Sequence, residues 1–125
     1  MATPAQLLEQ RTTNIKGVFD SYAVSQCTNT APPVPGTDVV HRYDNIAQNV
    51  CLEAVPIPVT APQLGFLSFR YATDLAVPAG KTCKFDIFRS AGCVGDPRRT
   101  VTATKEGLAT SCTNQEGRSI RFYCS

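Results

Sequence analysis

The sequence predicts an all-β domain held together by disulfides: a β-sandwich or Greek key, preceded by a short N-terminal helix. Three observations support this fold class. Short segments alternate apolar and polar residues, as half-buried strands do. Glycine and proline separate these segments, which is typical of sandwiches and barrels. Finally, six cysteines in 125 residues indicate a framework of disulfides.

The cysteines also indicate the compartment of the protein. Their number is even, no two of them form a CxxC pair, and His41 is the only histidine. Because structural zinc sites need close ligand pairs, we predict no metal and no cofactor. Disulfides persist in oxidising compartments, so we expect a secreted, extracellular protein. The cysteines are Cys27, Cys51, Cys83, Cys93, Cys112 and Cys124.

The N-terminal segment has a different pattern from the rest of the chain. Thr3, Pro4 and Gln6 have the spacing of a helix start, in which a threonine caps and a proline follows. We therefore predict an arm or short helix over residues 1–14 and a single β domain over residues 15–125. The first residues lack the apolar core of a signal peptide, so we expect Met1 to be an addition to a mature chain.

Strand-like segments follow one another along the domain. In the first half they cover residues 18–19, 22–24, 39–43 and 49–54, and a proline-rich loop spans 31–37. The prolines of residues 55–59 cannot donate to a ladder, so this segment is expected to be extended or at a sheet edge. In the second half, alternation predicts strands at 66–71, 83–88, 99–104 and 119–124.

Alternate residues of a strand share one face, and this restricts which cysteines can form a disulfide. Cys83 shares one strand face with Phe85 and Ile87, and Cys124 shares one with Ile120 and Phe122. If these strands are antiparallel neighbours, the two cysteines point inward at the same end of the sheet, which favours a Cys83–Cys124 bond.

The remaining four cysteines are assigned by their place in the chain. Cys93 would tie its long loop to Cys112, and Cys27 and Cys51 would close the first half around the proline-rich loop. The predicted pairs are therefore Cys27–Cys51, Cys83–Cys124 and Cys93–Cys112.

The segment from Cys83 to Ser125 resembles one Greek-key motif of the βγ-crystallin superfamily. Phe88, Cys93 and Gly95 occupy the places of its aromatic, second aromatic and glycine, and Ser119 that of the serine that begins its last strand. The cysteine pattern also resembles that of small secreted cysteine-rich proteins of filamentous fungi. The resemblance implies a crystallin-like fold and an effector-like role. Residues 114–119 match the calcium motif of that superfamily only at their ends, so we predict an ordinary loop there.

One stretch suggests an enzyme. Residues 41–45 resemble the His-x-Tyr-Asn-Asn stretch of small fungal guanyl-specific ribonucleases. In that alternative, His41 would take part in catalysis, Glu53 would be the base and Arg70 would clamp the phosphate. The chemistry needs a second histidine as general acid, which this chain lacks. We therefore predict that the protein is not an enzyme.

Charge and loops lead to the functional prediction. The net charge is +2 with both signs mixed along the chain, so no nucleic-acid partner is expected. No apolar run approaches the length of a transmembrane helix, so no membrane insertion is expected. We predict binding to a host protein or cell-surface component through two loops, residues 32–37 with Pro33 and Pro35 and residues 88–99 with Arg98 and Arg99. Loops on a rigid scaffold usually carry recognition. Arg98 and Arg99 could instead protect an edge strand from aggregation. An antimicrobial or toxin-like protein is a further alternative, and the oligomeric state is open.

Overall fold

Eight strands form two four-stranded sheets in the computed structural model, which describes residues 14–22, 25–27, 40–54 and 65–125. This confirms the all-β, disulfide-stapled prediction. The strands are β1 (Gly17–Tyr22), β2 (Val40–Ile46), β3 (Cys51–Glu53), β4 (Phe66–Thr73), β5 (Cys83–Phe88), β6 (Arg99–Ala103), β7 (Thr113–Gly117) and β8 (Ser119–Cys124). Short 3₁₀ turns lie at Ser25–Cys27, Ala91–Cys93 and Gly107–Ala109.

The strand order links the two halves of the chain. Sheet A has the order β2-β1-β4-β7, and sheet B has the order β3-β8-β5-β6. All pairings between these strands are antiparallel. Each half (β1–β4 and β5–β8) therefore places its third strand in the sheet built by the other half. The two halves cannot separate without breaking pairs in both sheets.

Aromatic side chains fill the space between the sheets. Phe19 of β1 stacks on Phe69 of β4 with ring centroids 5.0 Å apart, and Phe85 of β5 lies 4.9 Å from Phe122 of β8. Phe19 also lies 5.5 Å from Phe85, which joins the two sheets. All four rings are fully buried. Burial of each such side chain contributes about 1.5 to 3 kcal/mol, so this cluster is a main source of stability.

The two halves repeat one pattern that the sequence analysis did not detect. Residues 19–27 and 85–93 each begin with Phe-Asp and end with a cysteine. In both copies the first residues form the first strand of the half, and the cysteine ends a 3₁₀ turn. The repeat places Cys27 and Cys93 at equivalent positions.

Hydrogen bonds around these two cysteines are also equivalent. The N–H of Cys27 donates to Oγ of Ser68, and the N–H of Cys93 donates to Oγ of Ser119, both at 2.9 Å. Both serines are fully buried and lie in the fourth strand of their half. Each 3₁₀ turn is thereby anchored to the fourth strand of its own half.

One predicted disulfide is confirmed and two are wrong. Cys83 pairs directly with Cys124 across β5 and β8 and is bonded to it, as parity predicted. The other bonds are Cys27–Cys112 and Cys51–Cys93, each with a Cα–Cα distance of 5.9 Å, instead of Cys27–Cys51 and Cys93–Cys112. The prediction failed because Cys51 begins β3, which lies in sheet B, whereas Cys27 packs against β4 of sheet A. The face on which a cysteine lies within its own strand does not show which sheet that strand joins.

The prediction of a loop at residues 114–119 is also wrong. Residues Thr113–Gly117 form β7, which pairs with β4 despite its polar sequence. Oδ1 of Asn114 accepts a hydrogen bond of 2.6 Å from the N–H of Gln26, so this side chain has a structural role. The predictions for residues 1–13, for the proline-rich loop at 31–37 and for the segment at 55–59 lie outside the described residues.

Gly117 occupies a position where the sheets approach too closely for a side chain. A Cβ atom there would lie 2.5 Å from Cζ of Phe66 and 2.8 Å from Cγ2 of Ile87, both buried in the core. The residue is therefore glycine for reasons of space.

We expect Gly117→Ala to lower the free energy of unfolding by about 2 to 3 kcal/mol, because the core must shift to admit the methyl group. Gly80→Ala is the control, since no heavy atom lies within 4 Å of its added Cβ although its φ is +81°. Backbone strain alone should cost about 1 kcal/mol there. Denaturant unfolding with disulfides intact measures both; a larger loss for Gly80→Ala would contradict the packing argument.

Candidate functional site

The loop between β5 and β6, residues 89–98, is held rigidly at its first half. The Cys51–Cys93 disulfide ties it to β3. Oγ of Ser119 donates a hydrogen bond of 2.6 Å to the carbonyl of Ser90 and accepts the N–H of Cys93. Because Ser119 is fully buried, these bonds are shielded from competing water.

A carboxylate completes the anchoring of the loop. Gly92 has a φ of 78°, a conformation that glycine adopts at little cost, and its N–H donates to Oε1 of Glu53 at 2.5 Å. Glu53 lies in β3, the strand that also carries Cys51. The first half of the loop is thus fixed by one disulfide and three hydrogen bonds.

Two apolar side chains are exposed beside this disulfide. Val94, next to Cys93, is 68% exposed, and Val50, next to Cys51, is 54% exposed. The third exposed large apolar side chain of the described residues, Leu75, is 48% exposed and lies in the connection between β4 and β5. An exposed apolar side chain of this size gains free energy when an interface removes it from water.

An open cleft continues the apolar surface from Val50. It has a volume of about 350 Å³, and its apolar lining includes Tyr43, Ile46, Val50 and Leu52. Its polar lining comes from the end of β2 and includes Asp44 and Asn45. An apolar cleft with a few polar groups at its margin is the usual form of a binding site.

Arginines stand at both ends of this loop, with Arg89 as its first residue and Arg98 as its last. The N–H of Arg98 donates to the carbonyl of Ile87, and the N–H of Arg118 donates to the next carbonyl, that of Phe88. These bonds place two arginines on either side of the end of β5, where Arg89 follows directly. A smaller cleft of about 110 Å³ lies there, lined by Arg89, Arg98, Gln115 and Glu116.

One ion pair among the described residues offsets this charge, and Asp96, an exposed carboxylate of the same loop, forms none. Nε of Arg89 lies 4.0 Å from Oε1 of Glu116, and both side chains are more than a third exposed. Among the residues that the structure describes, Arg98, Arg99 and Arg118 form no ion pair. The predicted contact residues Arg98 and Arg99 are both exposed. The predicted contact residues Pro33 and Pro35 lie outside the described residues.

Ion pairs and titrating groups elsewhere have structural roles. Asp20 is buried on β1 and accepts two hydrogen bonds, of 2.7 and 2.8 Å, from the Arg42 guanidinium. These hydrogen bonds and the charge of Asp20 raise the pKa of Arg42 above its usual value. On sheet B, burial raises the pKa of Tyr123, and the charge of Asp86, which accepts its hydrogen bond, raises it further.

The residues of the ribonuclease alternative are not brought together. His41 lies on β2 opposite Ser21, and Arg70 lies on β4 opposite the preceding residue Asp20. Neighbouring residues of a strand point to opposite faces, so His41 and Arg70 lie on opposite faces of sheet A. Arg70 donates to the carbonyls of Leu108 and Ala109. Glu53 belongs to the other sheet and binds the loop.

Sequence reasoning found only part of this surface. It named the loop of residues 88–99 and selected Arg98 and Arg99 in it. It gave Arg89 and Val94 of the same loop no role of their own, and it missed Val50. A valine beside a cysteine has no distinctive pattern. The repeat of residues 19–27 and 85–93 is the signal that could have related the two cysteine-bearing turns.

Comparisons with known proteins add no relative. No family model matches the chain, and neither a curated protein nor a solved structure matches it. Over the described ranges, no helix is long and apolar enough to cross a membrane. The same residues contain no group of three or more His, Cys, Asp or Glu that could hold a metal ion. The function is therefore inferred from the surface of the 89–98 loop.

We expect Ser119→Ala to destabilise the protein by about 1 to 3 kcal/mol, because it leaves the N–H of Cys93 and the carbonyl of Ser90 without their partner. Ser90→Ala is the matched control, since the Ser90 side chain makes no capping hydrogen bond and its carbonyl is retained. It should change stability by less than about 0.5 kcal/mol. Equal losses in denaturant unfolding would show that Ser119 does not anchor the loop.

Proposed function

We propose that this protein is a secreted, effector-like protein that acts by binding a protein of a host or target-cell surface, without catalysis. Three disulfides in a small domain support an oxidising, extracellular compartment. The fungal, effector-like part of the proposal comes from the resemblance of the cysteine pattern. The ribonuclease alternative receives no support from the positions of His41, Glu53 and Arg70.

We also propose that the two halves are crystallin-like Greek-key motifs, and the strand order supports this. Two four-stranded motifs that exchange their third strands, with a buried serine at equivalent positions in each half, agree with the Greek-key resemblance of residues 83–125. The fold carries no activity by itself, because one fold can host many functions. The function must be argued from the surface.

The observation that carries the proposal is the exposure of Val94 and Val50, which are the chain neighbours of the two cysteines of an anchored disulfide. Exposed apolar side chains favour association, since their burial in an interface removes apolar surface from water. The loop is already fixed by the disulfide and by Ser119, so binding need not order it. Association therefore loses less conformational entropy than it would with a mobile loop.

We predict that Val94→Asp weakens binding of the labelled protein to the surface of intact host or target cells by at least about tenfold, because a carboxylate would be buried without a partner. Leu75→Asp makes the same change at an exposed apolar side chain between β4 and β5, which is not next to either cysteine of this disulfide, and should leave binding unchanged. Saturation binding to intact cells measures both, and unfolding curves verify that both variants fold. Unsaturable binding, or equal losses in the two variants, would contradict the proposal.

A further inference from the structure

Strand β6 is an open edge of sheet B. In the described part of the chain it pairs only with β5, so one side of its backbone has no strand beside it. Its first four residues are Arg-Thr-Val-Thr, which contain no proline or glycine, and three of the four are exposed. Such an edge is a ready template for an additional strand.

The positive charge near this edge determines which kind of partner strand can pair with it. Arg98 and Arg99 stand at its beginning, and Arg89 and Arg118 lie close by at the end of β5; these four residues are called the arginine cluster. Arginine at an edge discourages pairing with another copy of the same chain, which would bring further positive charge. The same charge attracts a segment rich in carboxylates.

The small cleft beside the edge has the chemistry of a carboxylate site. The Glu116 carboxylate already lies 4.0 Å from Arg89 there, and Arg98 lines the same cleft without an ion pair in the described residues. A guanidinium can hold a carboxylate through two parallel hydrogen bonds. The cleft, of about 110 Å³, has room for one such group from a partner.

We infer that β6 accepts an extended acidic segment of a partner protein as an added strand, with a carboxylate of that segment bound between Arg89 and Arg98. This inference rests on the proposed function and names the chemistry of the partner. Backbone hydrogen bonds to β6 would supply affinity, and the arginine cluster would supply selectivity.

The probe is a synthetic peptide that alternates glutamate with threonine, compared with one that carries lysine in place of glutamate. We expect the acidic peptide to bind and the basic peptide not to bind. The double variant Arg98→Glu, Arg99→Glu should weaken binding of the acidic peptide at least about tenfold. The variant Lys81→Glu, Lys105→Glu makes the same change in net charge beyond the opposite end of β6 from the arginine cluster. It should weaken binding less than about threefold, because exposed charges farther apart than a Debye length are largely screened.

Amide hydrogen exchange tests the added strand. We expect the acidic peptide to slow exchange within residues 99–103. Binding without new protection there would overturn strand addition, and equal losses in the two charge variants would overturn the role of the arginine cluster. Binding of RNA or a sulfated polysaccharide that requires Arg98 and Arg99, with no binding of the peptide, would assign the cluster to a different class of partner and also overturn the inference.

The two proposals can fail separately. If cell binding requires Val94 but the acidic peptide does not bind, the proposed function stands and the inference on its partner is wrong. If the peptide binds β6 but cells are not bound, the inference stands as a property of the edge and the proposed function fails.

Discussion

The exchange of third strands is the constraint on which the rest of this structure depends. β3 lies in the sheet of the second half and β7 in the sheet of the first. Each of two disulfides fastens an exchanged strand to the half that receives it: Cys51–Cys93 joins β3 to the second half, and Cys27–Cys112 joins the residue before β7 to the first. Because the strands and the covalent bonds cross in the same way, neither sheet can form without contributions from both halves.

The same anchoring supports two cysteine-bearing turns, one in each half, that are followed by different residues. The turns that end at Cys27 and Cys93 are anchored alike, by a disulfide and by a buried serine of a fourth strand. The second turn leads on to Val94 and to an arginine-rich end of sheet B, where the candidate surface lies. Equivalent frames with different exposed side chains allow recognition to change without loss of the core, since loop residues contribute little to packing.

Predictions from the sequence were correct for features that depend on the residues of one strand alone. Alternation in β5 and β8 fixed which residues face inward, and that was sufficient to pair Cys83 with Cys124. It failed for the other two disulfides, because their geometry depends on which sheet receives β3 and β7. The polar sequence of β7 lacks strand alternation, and pairing with β4 defines the strand instead. On the surface, Arg98 and Arg99 could be predicted as contact residues because they are charged and lie at the end of a predicted loop. The exposure of Val50 and Val94 could not be predicted, because it depends on tertiary packing.

Disulfide mapping tests the central claim most directly. The unreduced protein is digested, and the linked peptides are identified by mass spectrometry. Strand exchange predicts peptides that join Cys27 to Cys112 and Cys51 to Cys93, in addition to Cys83–Cys124. Peptides that join Cys27 to Cys51 and Cys93 to Cys112 would keep each bond within one half of the chain, and they would contradict the account.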